Sequence, residues 1–143
     1  MLIAHVIRDK GATVYTLTVD ATLEEAAREL AAKRVGALVV LDPHGRLLGV
    51  LSERDIVRQV ARKGAGCLNE DVGSAMTRDV ITARTGETVD ECLARMTDRR
   101  IRHLPVLAEG QLMGLVSIGD LVKHRIAAVE AESAAMQAYI ATH

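Results

Sequence analysis

Between Thr16 and Val57, and again between Thr82 and Val122, the chain runs through the same pattern. Thr22-Leu23 corresponds to Thr88-Val89, and Leu38-Val39-Val40-Leu41 to Leu104-Pro105-Val106-Leu107. Gly49-Val50-Leu51-Ser52-Glu53-Arg54-Asp55 corresponds to Gly114-Leu115-Val116-Ser117-Ile118-Gly119-Asp120. The offset is 66 residues up to the first strand pair and 65 beyond it. That slip falls in a loop, where Asp42-Pro43-His44-Gly45 faces the shorter Ala108-Glu109-Gly110. A repeat of this kind is expected to give two similar half-domains about a pseudo-twofold axis, with two related clefts. In a chain of 143 residues each half is about 60 residues, too small to bury a secure core alone, so the two are expected to share one.

Composition narrows the class. Apolar residues make up 49% of the chain, which marks a globular protein rather than a disordered one. With two Tyr, no Trp and no Phe, the core must be built from Val, Leu, Ile, Ala and Met. Eighteen basic against nineteen acidic residues give no bias towards nucleic acid or an anionic membrane, so neither is expected as a partner. No apolar run approaches the ~20 residues of a membrane span, and Met1 to Lys10 is too short and mixed for a secretory signal. Cys67 and Cys92 lie far apart and form no CxxC, which points to a reducing interior and a cytoplasmic location.

Thr22 through Arg34 has helical spacing. Leu23, Ala26, Ala27, Leu30 and Ala31 share one face, with Thr22 as N-cap and Glu25 at the capping-box position. The second copy repeats the stripe with Val89, Cys92, Leu93 and Met96 behind Thr88 and Glu91, so Cys92 reads as a core residue. Leu38 to Leu41 and Leu47 to Leu51 read as a hairpin, as do Leu104 to Leu107 and Leu112 to Val116. Each leads into a helix, Ser52 to Arg62 and Ser117 onwards, and short strands are expected near Val14 to Leu17 and Val80 to Ala83. The fold class is therefore α/β (α+β), with strand, helix, strand, strand, helix written twice. Lys63 to Asp71 reads as a linker and Val72 to Thr77 as a short helical turn. Beyond Val122 a helical stripe of Ile126, Val129, Ser133, Met136 and Ile140 has no counterpart in the first copy; it is expected to pack on its own module or on a second subunit, and the second subunit is favoured. The boundaries on this reading are 1–66 for the first unit with the N-terminal segment, 67–122 for linker and second unit, and 123–143 for a C-terminal helix.

The repeated Ser-x-x-Asp at a strand-to-helix junction has two readings. One is a capping box, in which the Ser hydroxyl accepts from the third amide and the Asp reaches back. The other is an anion site at a helix N-terminus, with Asp55 or Asp120 one turn inward to accept from sugar hydroxyls. Gly49 and Gly114 would let a ligand or backbone come close. Arg99-Arg100-Ile101-Arg102 reads either as a solvated edge or as phosphate-facing charge. His103 has no neighbouring ligands at metal spacing, so a backbone-fixing or phosphate-facing imidazole is the simpler reading. No GxSxG, P-loop or GxGxxG is present, so no enzyme class has a motif behind it.

Taken together, the tandem units, the two Gly-to-Asp phrases, Arg102-His103-Leu104-Pro105-Val106 and Ala75-Met76-Thr77-Arg78-Asp79-Val80 resemble a pair of cystathionine-β-synthase-type (CBS) domains, a Bateman module. The resemblance spans Val14 to Val122 and implies a stand-alone, bacterial-type sensor that binds AMP, ADP, ATP, NAD(H) or S-adenosylmethionine in clefts between the units, with no catalytic cofactor. It implies that Asp55 and Asp120 hold ribose hydroxyls and that Ser52 and Ser117 meet phosphate. Thr16 and Thr82 would flank the base, with Ala37-Leu38 and His103-Leu104-Pro105 beside the ring. Arg54 and Arg102 would supply different charge to the two sites. The ligand would bridge both units and shift their arrangement, and an unidentified effector protein would read the change; the module would act as a homodimer. The alternative is a dimeric scaffold with vestigial clefts, whose Ser and Asp serve only as caps.

Overall fold

The computed structural model describes residues 1–11 and 13–143. Among them the order is α1 (Ile3–Lys10), β1 (Thr16–Thr18), α2 (Leu23–Lys33), β2 (Ala37–Leu41), β3 (Leu47–Ser52) and α3 (Glu53–Lys63). Two 3-10 turns, Ala65–Asn69 and Val72–Ser74, precede β4 (Ala83–Arg84), α4 (Val89–Arg99), β5 (His103–Ala108), β6 (Gln111–Ser117) and α5 (Ile118–Thr142). The class is mixed α and β, as the repeat implied. β1 and β4 begin two to three residues later than the apolar runs suggested, because only those residues find a parallel partner on the neighbouring strand. Among the described residues no helix is long and apolar enough to cross a membrane.

The chain divides into two compact units. One is Thr13–Ile81; the other joins residues 82–143 to the N-terminal segment. Each holds a three-stranded sheet, ordered β1-β2-β3 in the first unit and β4-β5-β6 in the second. The outer pair is parallel and the hairpin antiparallel, with a bulge at Val40/Leu41 and again at Val106/Leu107. The repeat extends to such irregularities.

Local chemistry sets the helices. Glu25 N donates to Thr22 Oγ1 at 3.1 Å and Thr22 N to Glu25 Oε2 at 3.4 Å, closing the box that starts α2. α4 carries the forward bond, Glu91 N to Thr88 Oγ1 at 3.1 Å, without the return among the described residues. Both helices end on an arginine in the left-handed region, Arg34 at φ 55° and Arg100 at φ 54°. The following amides bond back to Leu30 O and Met96 O, as in a Schellman turn. In the first unit Leu23, Ala26 and Leu30 of α2 pack with Leu38, Val40 and Leu51 of the sheet, Ile56 of α3 and Cys67. Lys63 to Asp71 is therefore no free linker: Cys67 is 2% exposed, and the 3-10 turn that carries it closes this core.

Sequence order groups the N-terminal segment with the first unit, but it folds as α1 and packs on the second. Ile3 N donates to Glu87 O, Ala4 N to Thr85 O, and Val89 N to Met1 O. Ile3, Val6 and Ile7 are buried. The first unit has the same three bonds, Val72 N to Ala21 O, Gly73 N to Val19 O and Leu23 N to Glu70 O. Residues 70–76 thus do for the first unit what residues 1–7 do for the second. Met76 lies against Gly49, where an added Cβ would stand 2.8 Å from its sulfur and 2.7 Å from Thr77 O. Ile7 lies likewise against Gly114, where an added Cβ would stand 2.5 Å from its Cδ1. Both glycines give room to the protein's own chain.

Candidate functional site

Each hairpin delivers its last residue to the start of a helix, so the end of the sheet and a helix N-terminus meet at one serine. Ser52 lies across β2 from Ala37, and Ser117 across β5 from His103. The first helical amide is already spent, since Glu53 N donates to Gly36 O at 2.9 Å and Ile118 N to Arg102 O at 2.8 Å. The third is capped, Asp55 N to Ser52 Oγ at 3.3 Å and Asp120 N to Ser117 Oγ at 3.1 Å. The capping box closes in both units through one carboxylate oxygen: Ser52 N donates to Asp55 Oδ2 and Ser117 N to Asp120 Oδ2, each at 2.8 Å. This leaves the second amide, Arg54 in one unit and Gly119 in the other, outside the cap, together with the other carboxylate oxygen. A helix N-terminus with such an amide suits an anion, and the spare carboxylate oxygen can accept from a hydroxyl.

The two sites differ in their cations. Around Asp55 the nearest is Arg58, with Nη1 3.6 Å from Oδ1 and a side chain 71% exposed. Asp120 instead accepts from Lys10 Nζ at 2.6 Å, and the same ammonium donates to Leu115 O at 2.7 Å. At the equivalent place in the first unit Val50 is paired by the backbone of Thr77. α1 runs past its contact with Gly114 as far as Lys10, and so brings a lysine to the acidic cap. Burial pushes the Asp120 pKa up, but the bonds from Lys10 and Ser117 together outweigh it and hold the carboxyl below its ordinary value.

The remaining candidates are placed as follows. Ala37 and Leu38, 2% and 0% exposed, sit in β2 directly behind the Ser52 cap. His103 and Leu104 are their counterparts in β5, His103 half-buried at its start and Leu104 buried, with Pro105 buried beyond them. Thr16 is exposed on β1. Thr82 precedes β4, and its carbonyl accepts from Arg95 Nη1 at 3.0 Å. Arg95 also pairs with Glu87, an arrangement that anchors the start of the second sheet. Arg54 and Arg102 are both exposed. No group of three or more metal-ligating side chains occurs among the described residues.

Lys10 is the residue that sequence reasoning missed. A signal for it exists: Ile3-x-x-Val6-Ile7 answers to Val72-x-x-Ala75-Met76, at an offset of 69 rather than 66. The three extra residues after Ile7 include Lys10.

The profile of the CBS domain matches residues 8–62 and 70–127. Among solved structures, the CBS-domain containing protein ATU1752 from Agrobacterium tumefaciens is 41% identical, with a TM-score of 0.85 over 87% of this chain and 92% of that one. The CBS domain protein PAE2072 from Pyrobaculum aerophilum, solved in complex with AMP, is 29% identical with a TM-score of 0.79 over 93% and 99% of the two chains. The CBS domain pair of protein MJ0100, solved with 5′-methylthioadenosine and S-adenosyl-L-methionine, is 26% identical with a TM-score of 0.77 over 86% and 94%.

Proposed function

The chain belongs to the CBS-domain family, and we propose that within it this protein is an adenine-nucleotide sensor that binds ligand without transforming it. One observation carries the reading: the same cap is built twice at a sheet-to-helix junction, and each time it leaves over an amide and a carboxylate oxygen. A ligand offering a phosphate and a ribose diol matches that pair of groups. The adenine ligands bound by PAE2072 and MJ0100 support the choice of base. Asp55 and Asp120 take the ribose hydroxyls, Ser52 and Ser117 lie towards phosphate, and Ala37-Leu38 and His103-Leu104-Pro105 face the ring. Binding shifts the protein between conformations only by its differential affinity for them, and another protein reads the outcome. The protein works as a homodimer.

The sites are not equivalent on this reading. Lys10 brings a fixed positive charge to the second, so that site favours the more highly phosphorylated ligand, whereas the first depends on the exposed Arg54 and Arg58. Titration of AMP, ATP, NAD⁺ and S-adenosylmethionine by calorimetry tests both points. Asp55→Ala and Asp120→Ala should each weaken one site by ~1.5–3 kcal/mol, roughly 10- to 150-fold in Kd. Affinity that survives both substitutions removes the ribose role. The closed capping boxes favour one other reading, a scaffold in which Ser and Asp serve the helices alone. It predicts that the double variant loses thermal stability and that no adenine ligand shifts the unfolding of the wild-type protein.

A further inference from the structure

α5 begins against its own unit and then leaves it. Leu121 is buried and His124 lies beside Met1, but every residue from 129 to 142 is exposed. That is about 21 Å of helix lying open to solvent, and an isolated helix of this length is marginal in water. Apart from Tyr139, 59% exposed beside it, its large apolar side chains form one stripe. Val122, Ile126, Val129, Met136 and Ile140 are 41%, 53%, 48%, 58% and 66% exposed. With Ser133 they recur at alternating steps of four and three, the spacing of a two-stranded coiled-coil seam.

We propose that this stripe is the contact between two copies of the chain, formed as a parallel, in-register pair of α5 helices. The inference rests on the homodimer reading above and assigns it a surface. Charge decides the occupant and the direction. In the parallel pairing Arg125 flanks the seam opposite Glu130 of the partner subunit, once on each side, and the polar Ser133 layer meets its own copy and fixes the register. An antiparallel pairing that buried the whole stripe would set Glu130 against the partner's Glu130 and Glu132 against the partner's Glu132. Like charges facing across a seam oppose that alignment. Arg125 is 3.6 Å from Asp90 of its own unit, but both side chains are more than half exposed. Such a pair is weak enough to yield to a second carboxylate.

Light scattering after gel filtration tests the seam on the full chain. Wild type should run at twice the chain mass at micromolar concentration, and Met136→Glu/Ile140→Glu should run as a monomer that still unfolds cooperatively and loses no more helical signal than the α5 tail accounts for. A monomeric wild type overturns both the homodimer reading and the seam. A dimer that survives the double substitution keeps the homodimer but places it on another face, and the seam is wrong. Ile140→Cys reads direction separately, since Cys67 and Cys92 are both buried. In the parallel seam the two introduced thiols face each other within disulfide reach, and mild oxidation should give a covalent dimer. In the antiparallel one each would lie opposite Val122, about 27 Å from its copy. A dimer that does not cross-link overturns the parallel register.

Discussion

A single ammonium distinguishes the two copies of the cap. Lys10 Nζ bonds both Asp120 and Leu115 O, and so ties α1 to the start of α5. The Asp120 carboxyl is held below its ordinary value in the folded protein, so its contribution to stability is complete above the unfolded value of ~3.9. It is lost as pH falls through the lower folded value. Lys10→Met should therefore lower the Tm at neutral pH and have progressively less effect as the pH is taken below the unfolded value of ~3.9. A Tm difference that stays constant across this range would show that the lysine acts through its stem and not through the ion pair. The same substitution should weaken ATP at the second site more than it weakens adenosine.

Packing at the glycines separates elements that look identical in sequence. At Gly49 an added methyl would meet the backbone oxygen of Thr77 at 2.7 Å, whereas at Gly114 it would meet only the mobile end of Ile7. Gly49→Ala should cost roughly 1–3 kcal/mol and Gly114→Ala clearly less, as measured by denaturant midpoints. Equal losses would mean that α1 is as rigidly held as the 76–77 backbone. The hairpins, the capped helices and both Ser-x-x-Asp junctions were legible because alternation, helical spacing and caps are local signals. The arginine C-caps were not legible: glycine is the usual sign of a left-handed residue, and Arg34 and Arg100 adopt that conformation without it. α1 was hidden for another reason. Its apolar face of Ile3, Val6 and Ile7 is only two turns long, and nothing local says which unit it covers.

For the molecule as a whole, the exchange of lead-in segments matters most. Residues 70–76 close the unit that precedes them, while residues 1–10 close a unit that begins some 70 residues later. Deleting residues 1–10 should strip hydrogen-exchange protection from β5 and β6 and leave that of β2 and β3 in place. Loss in both sheets, or in neither, would contradict the division into these two units. Sequence alone placed the repeat correctly but could not find this long-range pairing, because contiguity argued for the nearer unit.

Synthesis gives that pairing a direction in time. The first unit has all its parts once residue 81 has emerged, its own lead-in included. α1 is made before either unit, yet its partners β6 and the start of α5 appear more than a hundred residues later, a wait of roughly 5–20 s at ordinary translation rates. Through that interval α1 holds an unburied apolar face and a lysine without its carboxylate. The cap that sets the two sites apart is thus the last to form.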